Sequence, residues 1–187
     1  LIRNGTSVKN NSLLAEDIVG QTSLIMAAGQ DTTANTLSLG LIELAKNPQF
    51  QDSLRAEIHA AIGINPENIP YDSLPLLNAF IKETLRMYPA EALSERVALA
   101  DAVLPLSESV ATTTGEQVHQ IRIRKGQILT LAVASYQRME SRWGGDACAF
   151  RPARWLDGTV TVYRGDATVG PYANLLSFHG GARTCLG

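Results

Sequence analysis

Apolar residues recur at near-helical spacing through the first third of the chain, at Leu14, Ile18, Ile25, Leu37, Leu41 and Leu44. The pattern predicts one very long helix from about Ser12 or Leu13 to about Lys46, stopped by Asn47-Pro48. That is about three times the mean length of globular helices. Its middle carries the small and polar run Ala27-Ala28-Gly29-Gln30-Asp31-Thr32-Thr33, as a helix does where something needs room beside it. Its apolar residues also spread around much of the circumference, the mark of a helix buried in a large protein. A second helix follows, with Asn47 as N-cap, Pro48 in its first turn, Phe50, Leu54, Ile58 and Ile62 on one face, and an end at Gly63. After a connector containing Pro66 and Pro70, a third helix is predicted from about Ser73 to Tyr88, closed by Pro89.

Beyond Pro89 the period changes. Val97-Ala98-Leu99, then Ile121, Ile123, Ile128 and Leu129, form short β-type runs around the turns Gly115-Glu116 and Lys125-Gly126. From Gln137 to Gly187 glycine and proline leave little room for a long helix, and irregular segments of that length are usually functional. No repeat, low-complexity segment or domain boundary interrupts the chain. The fold class expected is mainly α with small β-sheets.

Composition narrows the partners. The 187 residues carry 16 Lys+Arg against 18 Asp+Glu, a formal charge of −2, and the basic residues do not gather in runs. No electrostatic footprint for nucleic acid or an anionic membrane surface results, which leaves a small molecule or a protein. No apolar stretch reaches the roughly 18 uninterrupted residues that a bilayer span requires. The start Leu1-Ile2-Arg3-Asn4 lacks an initiator Met and any signal-peptide pattern, as if cut from something longer. Cys148 and Cys185 are too few for a disulfide scaffold and read as free thiols or as one functional thiol.

The strongest chemical signal is Phe178-His179-Gly180-Gly181-Ala182-Arg183-Thr184-Cys185-Leu186-Gly187. Its glycines let the backbone approach a large flat ligand, Arg183 can pair a carboxylate, and backbone N–H groups around Cys185 would favour thiolate over thiol. A lone Cys in a Gly-rich turn is more often an inert thiol, and zinc is a poorer alternative, because His59, His119 and His179 show no paired ligand spacing. Glu83 and Arg86 lie at i, i+3 on the third helix, which on most helices makes only a solvated ion pair. Phe150-Arg151-Pro152-Ala153-Arg154-Trp155 adds an Arg downstream. In Ala28-Gly29-Gln30-Asp31-Thr32-Thr33, glycine weakens the helix and threonine can bond backward and bend it.

Together and in this order, these segments resemble the cytochrome P450 family. Its cysteine loop F-x-x-G-x-R-x-C-x-G is met by Phe178, Gly181, Arg183, Cys185 and Gly187. Its E-x-x-R is met by Glu83 and Arg86, with Arg154 of F-x-P-x-R-W as third member, and its A-G-x-D-T-T by Ala28 to Thr33. The segment from Val97 to Trp155 looks most like fungal, particularly basidiomycete, members. The resemblance implies a partial P450 fold running from the oxygen-side helix to the cysteine loop, with residues 1–187 expected to be a single partial domain, the C-terminal part of a P450 truncated at both ends. It implies haem b held by Cys185 as axial iron ligand, with Phe178, Gly181, Arg183 and Gly187 around it and Arg96 on a propionate. Asp31 and Thr32 would relay protons, Ala28 and Gly29 would line the substrate pocket, and Glu83, Arg86 and Arg154 would lock the scaffold. The activity implied is that of a haem-thiolate monooxygenase, taking O2, a small organic or lipophilic substrate and electrons from NADPH-cytochrome P450 reductase at the endoplasmic reticulum membrane. Alternatives are a P450-like isomerase, dehydratase or peroxygenase, against which the intact Asp31-Thr32 pair argues, and a non-catalytic helical fragment retaining the motifs. Tyr136-Gln137-Arg138 stands where many relatives have a His or Asn before the Arg, and no role is assigned there.

Overall fold

The computed structural model describes residues 15–158, 160 and 169–186. Helix α1 spans Ala15–Lys46, 32 residues, as one continuous rod. The expected start at Ser12 or Leu13 lies outside the described residues. Hydroxyls along it bond backward to the preceding turn: Thr22 Oγ1 to Ile18 O, Thr32 Oγ1 to Ala28 O, Thr36 Oγ1 to Thr32 O and Ser38 Oγ to Ala34 O, all at 2.7–2.9 Å. Only the end of α1 is packed, with Gly40, Glu43 and Leu44 buried. Upstream, Ile18, Val19, Leu24, Ile25 and Met26 are each more than half exposed. The apolar circumference read from the sequence is therefore a helix surface with no covering element among the described residues.

Helix α2 spans Pro48–Ile64, one residue past the expected Gly63. Its start is as read: the Asn47 side chain accepts from the Phe50 N–H at 3.1 Å, satisfying one of the orphan donors of the first turn. The third helix begins later than expected. Tyr71–Ser73 form a separate 3-10 turn, and α3 runs Pro75–Met87. Proline at the first helical position sets that boundary, and Leu74 offers no side-chain cap. The cap comes from α2 instead, where Glu57 accepts the N–H groups of Leu76 and Leu77 at 2.9 and 3.0 Å. A carboxylate there also meets the positive end of the helix dipole.

Helix α1 crosses α3 at Gly40, where a Cβ would stand 3.0 Å from the Phe80 ring and 3.3 Å from Thr84. The crossing is tied by the Tyr88 hydroxyl, which donates to Glu43 Oε1 at 2.6 Å while Lys46 holds the same oxygen at 2.8 Å. Burial, together with the hydrogen bond and charge of Glu43, pushes the Tyr88 phenol up to about 12.

Two antiparallel two-stranded sheets follow. Strands β1 (Ser94–Val97) and β4 (Ile128–Leu131) pair, and β2 (Ala102–Ala111) pairs with β3 (Gln117–Ile123). The expected run Val97-Ala98-Leu99 is strand only at Val97, because Ala98 turns out of the ladder, receiving Gly126 N–H on its oxygen at 2.8 Å, and Leu99 is left exposed. Strand β2 includes Pro105, which a two-stranded ribbon tolerates because every strand is an edge. From residue 133 onward only one-turn helices occur among the described residues, including α4 (Val133–Tyr136), α5 (Glu140–Trp143) and the 3-10 turns Pro152–Trp155, Leu176–Phe178 and Gly181–Arg183. They fold around α3, where Trp143, Ala147 and Leu175 form a core with Leu85, Trp155, Val160 and Ala173 against it.

The α1–α3 crossing predicts opposite outcomes for two substitutions. Gly40→Ala should leave stability within about 1 kcal/mol, since the helix-propensity gain offsets the tight contact with a movable ring. Gly40→Leu should lose about 1 to 3 kcal/mol by forcing the helices apart. Denaturant midpoints of the two variants check this.

Candidate functional site

Glu83, Arg86 and Arg154 meet in the interior, all three completely shielded from solvent. The helical spacing of Glu83 and Arg86 puts both on the inner face of α3, where the Arg86 fork takes the carboxylate from two sides: Nε to Oε2 at 2.9 Å and Nη2 to Oε1 at 2.8 Å. The 3-10 turn opened by Pro152 brings Arg154 Nε to Oε1 at 3.0 Å and Trp155 Nε1 to Oε2 at 2.9 Å. The Arg151 backbone N–H adds a fifth bond, at 2.8 Å to Oε1. The remaining guanidinium N–H groups go to carbonyls: Arg86 to Gln137 O, Ala147 O and Ala149 O, and Arg154 to Trp143 O, Asp146 O and Ala149 O, at 2.7–3.3 Å. Arg154 also reaches Asp146 Oδ1 at 3.0 Å, and its hydrogen bond, with that of Arg151, holds the Asp146 carboxyl below its ordinary value. Burial raises the Glu83 pKa, but Arg86, the Arg151 N–H and Arg154 outweigh it, and the net shift is downward. The Arg86 guanidinium lies 5.1 Å from the Trp143 ring centre, so the ring caps the cluster.

The turn leading into the cysteine loop packs against the same C-terminal end of α3, where the Ser177 hydroxyl donates to Leu85 O at 2.8 Å. Phe178 O accepts the Cys185 N–H at 2.9 Å, closing the loop on itself, and Phe178 meets Tyr172 edge-on at 6.1 Å. Gly181 has φ +71, a conformation that favours glycine, and a Cβ on Gly180 would stand 2.6 Å from Val169 O. Cys185 is exposed and outside any disulfide. His179 Nε2 lies 2.7 Å from Glu91 Oε2, pinning the loop to the segment after α3. Gly187 lies outside the described residues.

Beside this loop is a cavity of about 450 Å³. It is lined by the apolar Leu131, Val133, Val169 and Leu176, by the turn from His179 to Ala182, and by Arg96 of β1 and Arg183. A largely apolar cavity lined by two arginines suits a flat apolar ring with carboxylate arms; Cys185, two residues from Arg183, is exposed and is not among the residues that line the cavity. Ala28, Gly29, Asp31 and Thr32 stand exposed on α1, and the cavity walls do not include them.

The sequence reading passed over Gln137, which is completely buried and bonds α3 and the Leu176-Ser177 turn at once. It named Trp155 without assigning it to the cluster, and did not name Asp146. Trp155 was within reach as the last residue of the Phe150 to Trp155 motif. Gln137 and Asp146 carried no signal, because their partners lie in turns that no spacing along the chain connects.

Glu83→Ala, Arg86→Ala and Arg154→Ala are each expected to lose about 3 to 5 kcal/mol, because removing one partner strands buried charge. Combinations should be strongly non-additive, since the second removal has less left to break. Because the folded pKa of Glu83 is depressed, its stabilisation is present above the ordinary carboxylate value of 4.5 and is lost as pH falls through the folded one. Unfolding free energies from pH 7 down to about 3 should show that loss in the wild type and a shallower decline in Glu83→Gln.

A sequence profile of the cytochrome P450 family matches residues 1–187. Cytochrome P450 monooxygenase 91 of Postia placenta is 38% identical over 187 residues, covering 98% of this chain and 34% of the relative. A ganoderic acid synthetase of Ganoderma lucidum is 37% identical over 177 residues, covering 92% and 32%. Cytochrome P450 monooxygenase claO of Ampulloclitocybe clavipes is 36% identical over 177 residues, with the same coverage. This chain thus spans about a third of the length of the curated relatives it matches. The ordered motifs, the assembly of Glu83, Arg86, Arg154 and the turn before the cysteine loop around α3, and a match along the whole chain agree: this chain belongs to the cytochrome P450 family.

Proposed function

We propose that the protein carrying this chain is a haem-thiolate monooxygenase that inserts one oxygen atom of O2 into a small organic or lipophilic substrate. The observation that carries the reading is the cavity beside the cysteine loop, where Arg96 and Arg183, separated by 87 positions in the sequence, line one largely apolar cavity together with Gly180 and Gly181. Cys185 is the residue that would hold haem iron, Arg96 and Arg183 would pair its propionates, and Gly180 and Gly181 would let the backbone lie close. Bound there, haem supplies the oxygen-activating chemistry that the thiolate's electron donation favours. Glu83, Arg86 and Arg154 fix the proximal scaffold.

On α1, Thr32 Oγ1 donates to Ala28 O, which leaves its lone pairs as acceptors for a proton and a neighbouring exposed carboxylate, Asp31, to exchange protons with water. Electrons would come from NADPH-cytochrome P450 reductase, and membership of the family's fungal branch favours an endoplasmic reticulum location. No helix among the described residues is long and apolar enough to cross a membrane.

The ferrous CO complex of the purified protein should show the red-shifted Soret band of thiolate ligation, and Cys185→Ala should abolish it. A wild-type band typical of histidine ligation would refute the assignment. Thr32→Ala should keep that band yet raise the ratio of hydrogen peroxide released to NADPH consumed, because ordered proton delivery is lost. An unchanged ratio would make Thr32 a helix-bending residue alone.

A further inference from the structure

We infer that Gln137 is a positioning residue for the Cys185 loop, its buried amide clasping the Leu176-Ser177 turn onto the end of α3; what the clasp positions rests on the haem-thiolate reading above. The last carbonyls of a helix have no partner within it. Here the sequence makes that worse, because the residue that would donate to Leu85 O is Pro89, which has no N–H. Gln137 Nε2 supplies the missing donor, at 3.1 Å from Leu85 O and 3.0 Å from Arg86 O. Its Oε1 accepts the Leu176 N–H at 2.7 Å. The Ser177 hydroxyl completes the knot, donating to Leu85 O at 2.8 Å and lying 3.3 Å from both polar atoms of the amide.

One side chain therefore uses its donors on α3 and its acceptor on the cysteine-loop side, which a primary amide can do and a carboxylate or an ammonium cannot. Its own carbonyl accepts from Arg86 Nη1 at 2.8 Å, so the same residue touches the Glu83 cluster. From Leu176 the turn runs to Phe178, whose carbonyl holds the Cys185 N–H at 2.9 Å. Other side-chain ties of this region, among them Arg142 Nη2 to Asn174 O at 3.1 Å and His179 to Glu91, are made by side chains that are partly exposed. The Gln137 side chain is completely shielded from solvent, so its polar atoms cost most if left unmet.

The test compares Gln137→Met, Ser177→Ala and Leu54→Ala with wild type in the purified, haem-loaded protein. Methionine keeps the volume and removes every hydrogen bond of the amide, and Leu54→Ala is a cavity in α2, remote from the clasp, that controls for general destabilisation. Hydrogen exchange of the segment 176–185 should quicken about tenfold or more in Gln137→Met, and in the same direction but less in Ser177→Ala. The CO complex of both should lose part of its thiolate-type band to the thiol-type band. Leu54→Ala should change neither readout at matched loss of melting temperature. Wild-type exchange and spectrum in Gln137→Met, or equal changes in Leu54→Ala, would overturn the inference. If Gln137→Met does not fold, an unaltered Ser177→Ala overturns it alone. The exchange measurement assumes nothing about the iron ligand, so failure of the clasp and failure of the thiolate assignment are read separately.

Discussion

A carboxylate sealed between two guanidinium groups is the constraint around which this structure is arranged. Burying Glu83, Arg86 and Arg154 together places one negative and two positive charges in the interior, and desolvation makes such a cluster costly unless nearly every donor and acceptor is met. The chain meets them with backbone. Five bonds converge on the Glu83 carboxylate, and the carbonyls of residues 137, 143, 146, 147 and 149 take the guanidinium N–H groups that remain. Each bond requires a particular carbonyl at a particular place, so an irregular stretch with little regular secondary structure adopts one conformation. A hydrophobic core of the same volume would be at least as stable but would tolerate many arrangements of those turns.

The rigid stretch then becomes the surface on which the cysteine loop is laid. Trp143, Ala147 and Leu175 close over the cluster from the loop side, and Gln137 joins its far edge to Leu176. What emerges at the surface is a turn of tightly approaching backbone, in which Gly180 passes Val169 O without room for a Cβ. The polar interior and the apolar cavity thus divide the labour: one fixes position, the other offers a largely apolar recess lined by Arg96 and Arg183. Helix α1 stands outside this arrangement except at its last turns, where Gly40 permits a close crossing and Glu43 bonds Tyr88.

Local rules acting within a few residues made much of this legible beforehand. Asn47-Pro48 ends one helix and caps the next because the chemistry of both is confined to a single turn. The i, i+3 spacing of Glu83 and Arg86 places them on one face whatever surrounds them. The cysteine-loop motif places its fixed glycine, Gly181, at a position where φ is positive, a conformation that glycine takes without strain. Such features follow from residue type and separation, and they survived intact.

Other features arise from encounters between distant segments, on which local rules are silent. That the first turn of α3 is capped by Glu57 depends on α2 lying beside it. That an i, i+3 ion pair is a sealed cluster and not a solvated one depends on residues some 70 positions away folding over it. The role of Gln137 depends on two partners 39 and 52 positions off in opposite directions, and glutamine has too many ordinary uses for its presence to announce this one. Periodicity and motif spacing fixed the elements and the chemical inventory of this chain. Burial and the pairing of remote polar groups, which come into being when the elements meet, decided which members of that inventory act together.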